Sequence, residues 1–405
     1  MEQVNQAVRM NNVHYAIRGP LLDAAQKLEK EGRKIYKLNI GNTGAFNFDI
    51  DPRIQEYVIQ NFAKAGGYSD SSGIAEARLA IKAYHEKRGI KNITIDDIYI
   101  GNGVSELIAV VMQALLNPGD EVLLPAPDYP LWTASVNLCE GKAVHYICDE
   151  ESDWNPDLKD MESKITSRTK AIVLINPNNP TGSVYSKEII QGVVKIAQKY
   201  GLIIFSDEIY DRILYDGDIH YSPAAMADDI LVFTFNGLSK VHRACGIRAG
   251  WMVISGNKER YRGYLDGIKT LTSMRLCSNV PAQYAIKPAL EKDDSIFALT
   301  AEGGRLREQR DIIHQMLNDI PGVSCKKARG SLYVFPKFDV EKFNIKDDNR
   351  FVLDFLNAKN VLMVSGTGFN WPHPDHCRIV LLPPKDDLEE AMVRLKDFLA
   401  TYKQA

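Results

Sequence analysis

The chain has little of what marks several protein classes. No apolar run approaches the roughly 20 residues that span a bilayer; runs such as Ala171 to Ile175 and Leu202 to Phe205 have the length of buried strands. The six cysteines, Cys139, Cys148, Cys245, Cys277, Cys325 and Cys377, are dispersed with no C-x-x-C pair and no zinc-like spacing, so reduced, structural thiols are expected. His373 and His376 stand close in sequence, but the prolines of Trp-Pro-His-Pro-Asp-His exclude a regular helix, and two histidines without further ligands rarely hold a metal. No metal is expected. Net charge is −3 over 405 residues with both signs interleaved, and the absence of a basic stripe or acidic tail argues against a nucleic-acid partner and against disorder. The first thirty residues carry Arg9, Arg18, Asp23, Lys27, Glu29 and Lys30 and no apolar signal core, which reads as a cytoplasmic protein.

What is present is a regular alternation. Ile98 to Ile100, Glu121 to Leu124, Ala171 to Ile175, Leu202 to Phe205 and Leu231 to Phe235 are short apolar runs bounded by turn residues, separated by helical patterns such as Val104 to Leu116 and Lys187 to Tyr200. This is βαβ grammar and predicts an α/β fold with a mainly parallel central sheet. The length exceeds what one hydrophobic core accommodates, and after about residue 290 the pattern changes. A charged helix over 302–317, strand-like segments at 331–336, 361–364 and 377–382, and a last helix with Leu388, Met392, Leu395 and Leu399 on one face predict a smaller α+β unit. The expected division is an N-terminal segment, 1–44, packing with the small domain; a large domain, 45–290; and a small domain, 291–405.

The chemistry-bearing motifs fall just after the apolar runs, where open α/β sheets bind ligands. Gly101-Asn-Gly103-Val104-Ser105-Glu106 can receive a phosphate on backbone N–H groups at a helix start. It reads equally well as a plain tight turn, and Glu106 stands where a dinucleotide fingerprint needs its third glycine. Asn176-Pro-Asn-Asn-Pro-Thr-Gly182 is a rigid run with three amides, and a fixed Asn179 can donate to an anionic ring oxygen. Asp207 closes a strand with Tyr210 three residues on; a carboxylate beside a pyridine nitrogen favours its protonated form, and a phenol can serve the ring's oxygen. Lys240, in Gly237-Leu-Ser239-Lys240, follows a strand among small residues with Arg243 and Arg248 near, a setting that prepares a lysine as nucleophile and base. An amine for an aldehyde, a carboxylate for a ring nitrogen, donors for a phenolic oxygen and a cation for a phosphate together describe a holder for pyridoxal 5'-phosphate.

With these residues in place, the chain resembles the class I/II aminotransferases of fold type I. The run G-L-S-K-x-x-x-x-x-G-x-R-x-G from Gly237 to Gly250 is similar to their signature, and the resemblance extends from about Leu38 to the C-terminus through N-P-N-N-P-T-G, D-E-I-Y, the Tyr68–Gly73 patch and Arg378. Tyr99 to Leu107, Pro125 to Trp132 and Phe369 to Pro372 most resemble the bacterial glutamate–pyruvate (alanine) subgroup. The resemblance implies that Lys240 bonds the cofactor aldehyde, that Asp207 pairs with the pyridine nitrogen and that Tyr210 and Asn179 meet the ring oxygen. It places Gly103, Val104, Ser105, Ser239 and Arg248 around the phosphate, Tyr129 on the ring face, and Tyr68 at the phosphate of a neighbouring subunit, making a homodimer with shared sites. Gly41, Asn179 and Arg378 would hold the α-carboxylate of amino-acid and 2-oxo-acid substrates, bidentate pairing with Arg fixing orientation.

Three positions depart from the family pattern: Arg243 where a small or aliphatic residue is usual, Ile247 where an aromatic is, and Asn370 in place of a glycine after Phe369. A dual-substrate alanine enzyme must also take a methyl and a carboxyethyl group in one pocket, and a fixed buried Arg would be costly to leave unpaired. The stretch Tyr15-Ala-Ile-Arg18-Gly-Pro20 offers an aromatic wall, a cation and a hinge, so Tyr15 and Arg18 are expected to read the substrate side chain. The expected reaction is L-alanine plus 2-oxoglutarate giving pyruvate plus L-glutamate with ping-pong kinetics. An aminotransferase for aromatic or aspartate substrates, or a carbon–sulfur β-lyase, would use the same cofactor residues; a non-enzymatic regulator module or a nicotinamide dehydrogenase fits less well.

Overall fold

The computed structural model describes residues 4–13, 15 and 19–405. Its centre is a sheet of eight strands: β1 (Ile98–Gly101), β2 (Glu121–Ala126), β3 (Lys142–Asp149), β4 (Asn155–Pro156), β5 (Thr169–Ile175), β6 (Ile203–Asp207), β7 (Leu231–Gly237) and β8 (Gly250–Gly256). They lie in the order β1-β8-β7-β6-β5-β2-β3-β4. From β7 across to β3 every pairing is parallel, whereas β8 runs antiparallel between β1 and β7, and β4 antiparallel to β3. The expected α/β architecture with a mostly parallel sheet is therefore present, with its antiparallel exceptions toward the edges.

The sheet is buried on both faces, and the period of two along each strand builds two cores. In β5, Ile172 and Leu174 pack on one side with Ile204 and Val232, while Ala171, Val173 and Ile175 pack on the other with Phe205, Phe233 and Phe235. This explains why these strands read as continuous apolar runs. Helices cover the faces; in Lys187–Tyr200 the Ser186 side chain accepts from the Ile189 N–H at 3.3 Å, satisfying one of the unpaired donors of the first turn.

The C-terminal part forms a separate core in which Leu388, Met392, Leu395 and Leu399 of helix Lys385–Leu399 are all buried with Ile313, Phe351 and Ile379. Truncating one such leucine costs about 2–5 kcal/mol. The strand-like segment at 331–336 is regular only at Tyr333–Val334, which pairs antiparallel with Cys377–Val380. The N-terminal strand Tyr36–Lys37 pairs in parallel with Val361–Leu362, and Leu38 joins the C-terminal core. That pairing carries Gly41 to the carboxyl ends of the central strands.

Candidate functional site

The carboxyl ends of β5, β6 and β7 open into a cleft of about 670 Å³, closed on the far side by Gly41, Tyr333 and Arg378. The sheet places its charged groups by strand-end geometry. Asp207 is the last residue of β6, and Lys240 follows β7 by three residues. The Lys240 Nζ donates to the Gly41 carbonyl at 2.7 Å. A Cβ on Gly41 would lie 2.3 Å from the Tyr333 hydroxyl and 3.3 Å from the lysine nitrogen, so only glycine lets the N-terminal segment approach this amine.

Asp207 is buried, yet its oxygens receive only the Trp132 Nε1–H at 3.1 Å and the Ile209 N–H at 3.3 Å. No cationic side chain pairs with it among the described residues. Burial pushes its carboxyl up to about 6, with these donors and the charge of Lys240 only partly opposing. A protonated pyridine nitrogen would supply the missing charge. Tyr210 is buried with its hydroxyl 3.0 Å from that of Tyr333. The Asn179 Oδ1 accepts from Arg378 Nη1 at 3.0 Å, which orients the Asn179 amide N–H₂ away from the arginine.

Gly103, at φ 84°, lies before helix Val104–Leu115, and a Cβ there would meet Arg248 Nη2 at 2.2 Å. The absent side chain thus leaves the first-turn N–H groups of Val104 and Ser105 beside the Arg248 guanidinium, a cradle suited to a phosphate. Arg248 is fixed by bonds from Nη1 to the Cys245 carbonyl at 2.8 Å and from Nη2 to the Asn102 carbonyl at 3.1 Å. Glu106, the residue that breaks the dinucleotide fingerprint, accepts from the Asn102 N–H and from Arg275, both at 2.7 Å. Its role is to lock the turn. Ser239 also lines the cleft.

Arg378 is buried between the rings of Tyr333 and Phe369, 4.4 and 4.6 Å from the guanidinium carbon. It donates to Asn39 and Asn179, and its Nε has no hydrogen-bond partner among the described residues. Tyr129 and Tyr15 close the side of the cleft with hydroxyls 2.9 Å apart. Arg18 lies outside the described residues. Tyr68 is not in the cleft of its own chain; it is 81% exposed.

The site therefore gathers Gly41, Val104, Ser105, Tyr129, Asn179, Asp207, Tyr210, Ser239, Lys240, Arg248, Arg378 and Tyr15, with Gly103 directly behind Arg248. Residue-by-residue reading missed Tyr333 and Trp132. Tyr333 sits in an apolar strand segment where an aromatic reads as core, and nothing local announces that it faces Tyr210 from 123 positions away. Trp132 belongs to the Pro125–Trp132 patch, but only the fold brings its indole N–H to Asp207.

The departures from the family pattern have structural accounts. Arg243, at φ 54°, buries its side chain and ties the Asp49 carbonyl at 3.0 Å to Ser295 at 2.5 Å and to Asp293 at 3.7 Å. Asn370 takes a left-handed conformation that Asn tolerates better than most residues, and its Nδ2 donates to buried Asp128 at 2.7 Å. Ile247 packs against the core.

Beneath the turn that carries Asp207 and Tyr210 lies a second buried polar cluster. Asp211 Oδ2 accepts from Tyr84 at 2.5 Å and Asn236 at 2.8 Å and lies 3.5 Å from Arg88 Nη2. Arg88 also donates to His220 Nδ1 at 2.7 Å, and the opposite ring nitrogen of His220 bonds the Asn176 carbonyl at 3.1 Å. The cluster thereby ties helix Ala75–Lys87 to both loops of the site. Burial favours protonated Asp211, but Arg88 and the surrounding donors hold it below the usual carboxylate range. Neighbouring Glu208, which accepts hydrogen bonds from Ser206 and Ser222, is pushed by burial up to about 7, the charge of Arg88 only partly opposing.

Among known proteins, the family model described as aminotransferase class I and II matches residues 34–395. The chain is 56% identical to the glutamate-pyruvate aminotransferase AlaA of Escherichia coli K12, all of both chains being covered. It is 53% identical to an alanine aminotransferase of Mycobacterium bovis, over 98% of this chain and 93% of that one. A crystal structure of an aminotransferase from Escherichia coli superposes with a TM-score of 0.99 at 56% identity, covering both chains completely.

Proposed function

The chain belongs to the class I and II aminotransferases, and from that premise we propose that it moves the amino group of L-alanine to 2-oxoglutarate, giving pyruvate and L-glutamate by a ping-pong sequence. Its cofactor is pyridoxal 5'-phosphate. The observation that carries the reading is the convergence of Lys240, Asp207 and Arg378, from three distant parts of the chain, on one cleft.

Asp207 would hold the cofactor's ring nitrogen in its protonated form, Tyr210 and Asn179 its ring oxygen, and the Val104–Ser105 helix start with Ser239 and Arg248 its phosphate. When bound, the protonated ring supplies a sink for the electron pair left on the substrate's α-carbon. Arg378 orients the substrate through its α-carboxylate, a contact worth about 1.5–3 kcal/mol. Lys240, which would hold the cofactor in the resting enzyme, would as a free amine be the base that takes the proton from the substrate's α-carbon. Its present bond to the Gly41 carbonyl holds the amine at that end of the cleft. Tyr129 and Tyr15 limit the room for the side chain.

The finer assignments rest on the same premise. Arg18 reads the distal carboxylate of glutamate, supported by the contact that brings Tyr15, three residues earlier, against Tyr129. The enzyme works as a homodimer in which Tyr68 reaches the partner's phosphate: exposed Tyr68 lies in the segment whose Ser71 touches Ser273, beside exposed Met274 and Leu276. Exposed apolar groups of this kind mark interaction surfaces. A cytoplasmic setting is in keeping with six free thiols, and no described helix is long and apolar enough to cross a membrane.

The test is a panel of amino acids assayed with 2-oxoglutarate, with the oxo-acid products identified. Alanine should give the highest kcat/KM; preference for aspartate or an aromatic, or release of pyruvate and ammonia from cystathionine, would replace the reading. Arg18→Ala should lower kcat/KM for glutamate and 2-oxoglutarate about 10-fold or more, the effect of losing roughly 1.4 kcal/mol, and alanine and pyruvate less. Equal losses in both half-reactions would reject Arg18 as the discriminator.

A further inference from the structure

Tyr333 touches both halves of the proposed chemistry. Its strand pairs with the strand that carries Arg378, and its ring supports the Arg378 guanidinium at 4.4 Å. Its hydroxyl meets that of Tyr210, on the loop after β6, at 3.0 Å. The titratable and charged groups about this phenol include Tyr210, Lys240, Arg378, Cys245 and Tyr129. Its oxygen also fills the space that a Cβ on Gly41 would claim. A phenylalanine would fill the core and support the arginine equally well, so the hydroxyl calls for an explanation of its own.

The two hydroxyls can share one proton along their contact. Once Tyr210 turns its proton to an anionic ring oxygen, its own oxygen becomes an acceptor, and the proton between the two phenols must come from Tyr333. Burial acts to raise the Tyr333 phenol, but with Lys240 as a free amine its charge, that of Arg378 and the contact with Tyr210 outweigh burial and bring the phenol below the usual tyrosine range; the Arg378 charge and the Tyr210 contact remain when Lys240 is bonded to the cofactor. An acidified phenol is a stronger donor. By donating to Tyr210 it makes Tyr210 a stronger donor in turn, since chained hydrogen bonds polarise one another.

We propose that Tyr333 is a positioning residue that acts through Tyr210: its hydroxyl strengthens the Tyr210 hydrogen bond to the cofactor's ring oxygen and so lowers the proton affinity of the nitrogen by which Lys240 holds the cofactor. The inference rests on the assignment of Tyr210 to the ring oxygen. It predicts a direction: a better-stabilised oxygen anion attracts the neighbouring nitrogen's proton less, so losing the Tyr333 hydroxyl raises the pH at which that nitrogen gives its proton up.

The experiment is a pH titration of the visible absorbance of substrate-free holoenzyme, for wild type, Tyr333→Phe, Tyr210→Phe and the double variant. Tyr333→Phe should move the transition upward by roughly half a unit to one unit, the scale of one hydrogen bond, and Tyr210→Phe should move it further. In the double variant the Tyr333 change should add nothing to the Tyr210 change. An unmoved transition in Tyr333→Phe beside a shifted one in Tyr210→Phe overturns the proposal, as does a Tyr333 effect that persists in full without the Tyr210 hydroxyl. If neither single variant shifts, the Tyr210 assignment itself fails and the inference falls with it. A purely structural Tyr333 would change stability or cofactor affinity and leave the transition in place.

Discussion

Asp207 and Asp211 stand four residues apart on one turn, both buried, and their surroundings are opposite. Asp211 is met by Arg88, Tyr84 and Asn236 and is held below the usual carboxylate range. Asp207 is met by an indole N–H and one backbone N–H, and burial pushes it up to about 6. An ionised carboxylate without a counter-charge is costly to bury. The fold compensates it for Asp211 with its own arginine and offers Asp207 no cation among the described residues. On the function proposed above, the cofactor's protonated ring nitrogen would supply that charge, separating a carboxylate that holds the structure together from one that works.

The largest effect expected from this contrast is on catalysis. If Asp207 holds the ring nitrogen protonated as proposed, Asp207→Asn should lower kcat by roughly three orders of magnitude, as a loss of about 4 kcal/mol in the transition state implies. Single-turnover kinetics with L-alanine measure it; a loss of less than tenfold would remove Asp207 from its role. Asp211→Asn should instead destabilise the fold by about 1–3 kcal/mol, because it leaves the partly buried Arg88 without its carboxylate partner. A lowered denaturant midpoint with unchanged slope reads this out, while kcat per folded molecule stays within about tenfold. A three-order loss of kcat in a fully folded Asp211→Asn enzyme would erase the distinction.

A smaller effect concerns the cofactor-free protein. The folded state raises the proton affinity of Asp207 above its unfolded value, so the stability contributed by its protonated form is present below about pH 4 and lost as pH rises through about 6. Asp207→Asn should therefore stabilise the cofactor-free enzyme little near pH 4 and by on the order of 1–3 kcal/mol above pH 6. Paired urea titrations of the two proteins across that window check the sign, which would be reversed if Asp207 were internally paired.

The Asp207 side of the contrast is legible in the sequence, as are Lys240 and Asn179, because each closes or follows a largely apolar strand and the motifs together meet the demands of one cofactor; alone, Asp207 reads as an ordinary acid at a helix start. Asp211 gives no such sign: its partners Arg88 and Asn236 come from elsewhere in the chain, and an Asp after a strand reads as an ordinary turn residue. The same limit applies to Tyr333 and Trp132, whose meaning lies in cross-fold contacts. Arg378 and Gly41 were legible only through family resemblance, since a lone arginine or glycine carries no local signal. In the fold, the parallel strands were legible from their two-sided burial. Strands β3 and β8 are not among the runs read from the sequence, and the antiparallel direction of β8 is set by its connection, which no local pattern announces.

The central claim, that this cleft holds the cofactor through Lys240 for transamination of alanine, is tested most directly by reducing the holoenzyme with borohydride and locating the attached pyridoxyl mass by peptide mapping. The expected result is a single label on Lys240, largely prevented when L-alanine without an oxo acid is added before the reductant. A label on another lysine, or a Lys240 label that alanine does not diminish, would contradict the account.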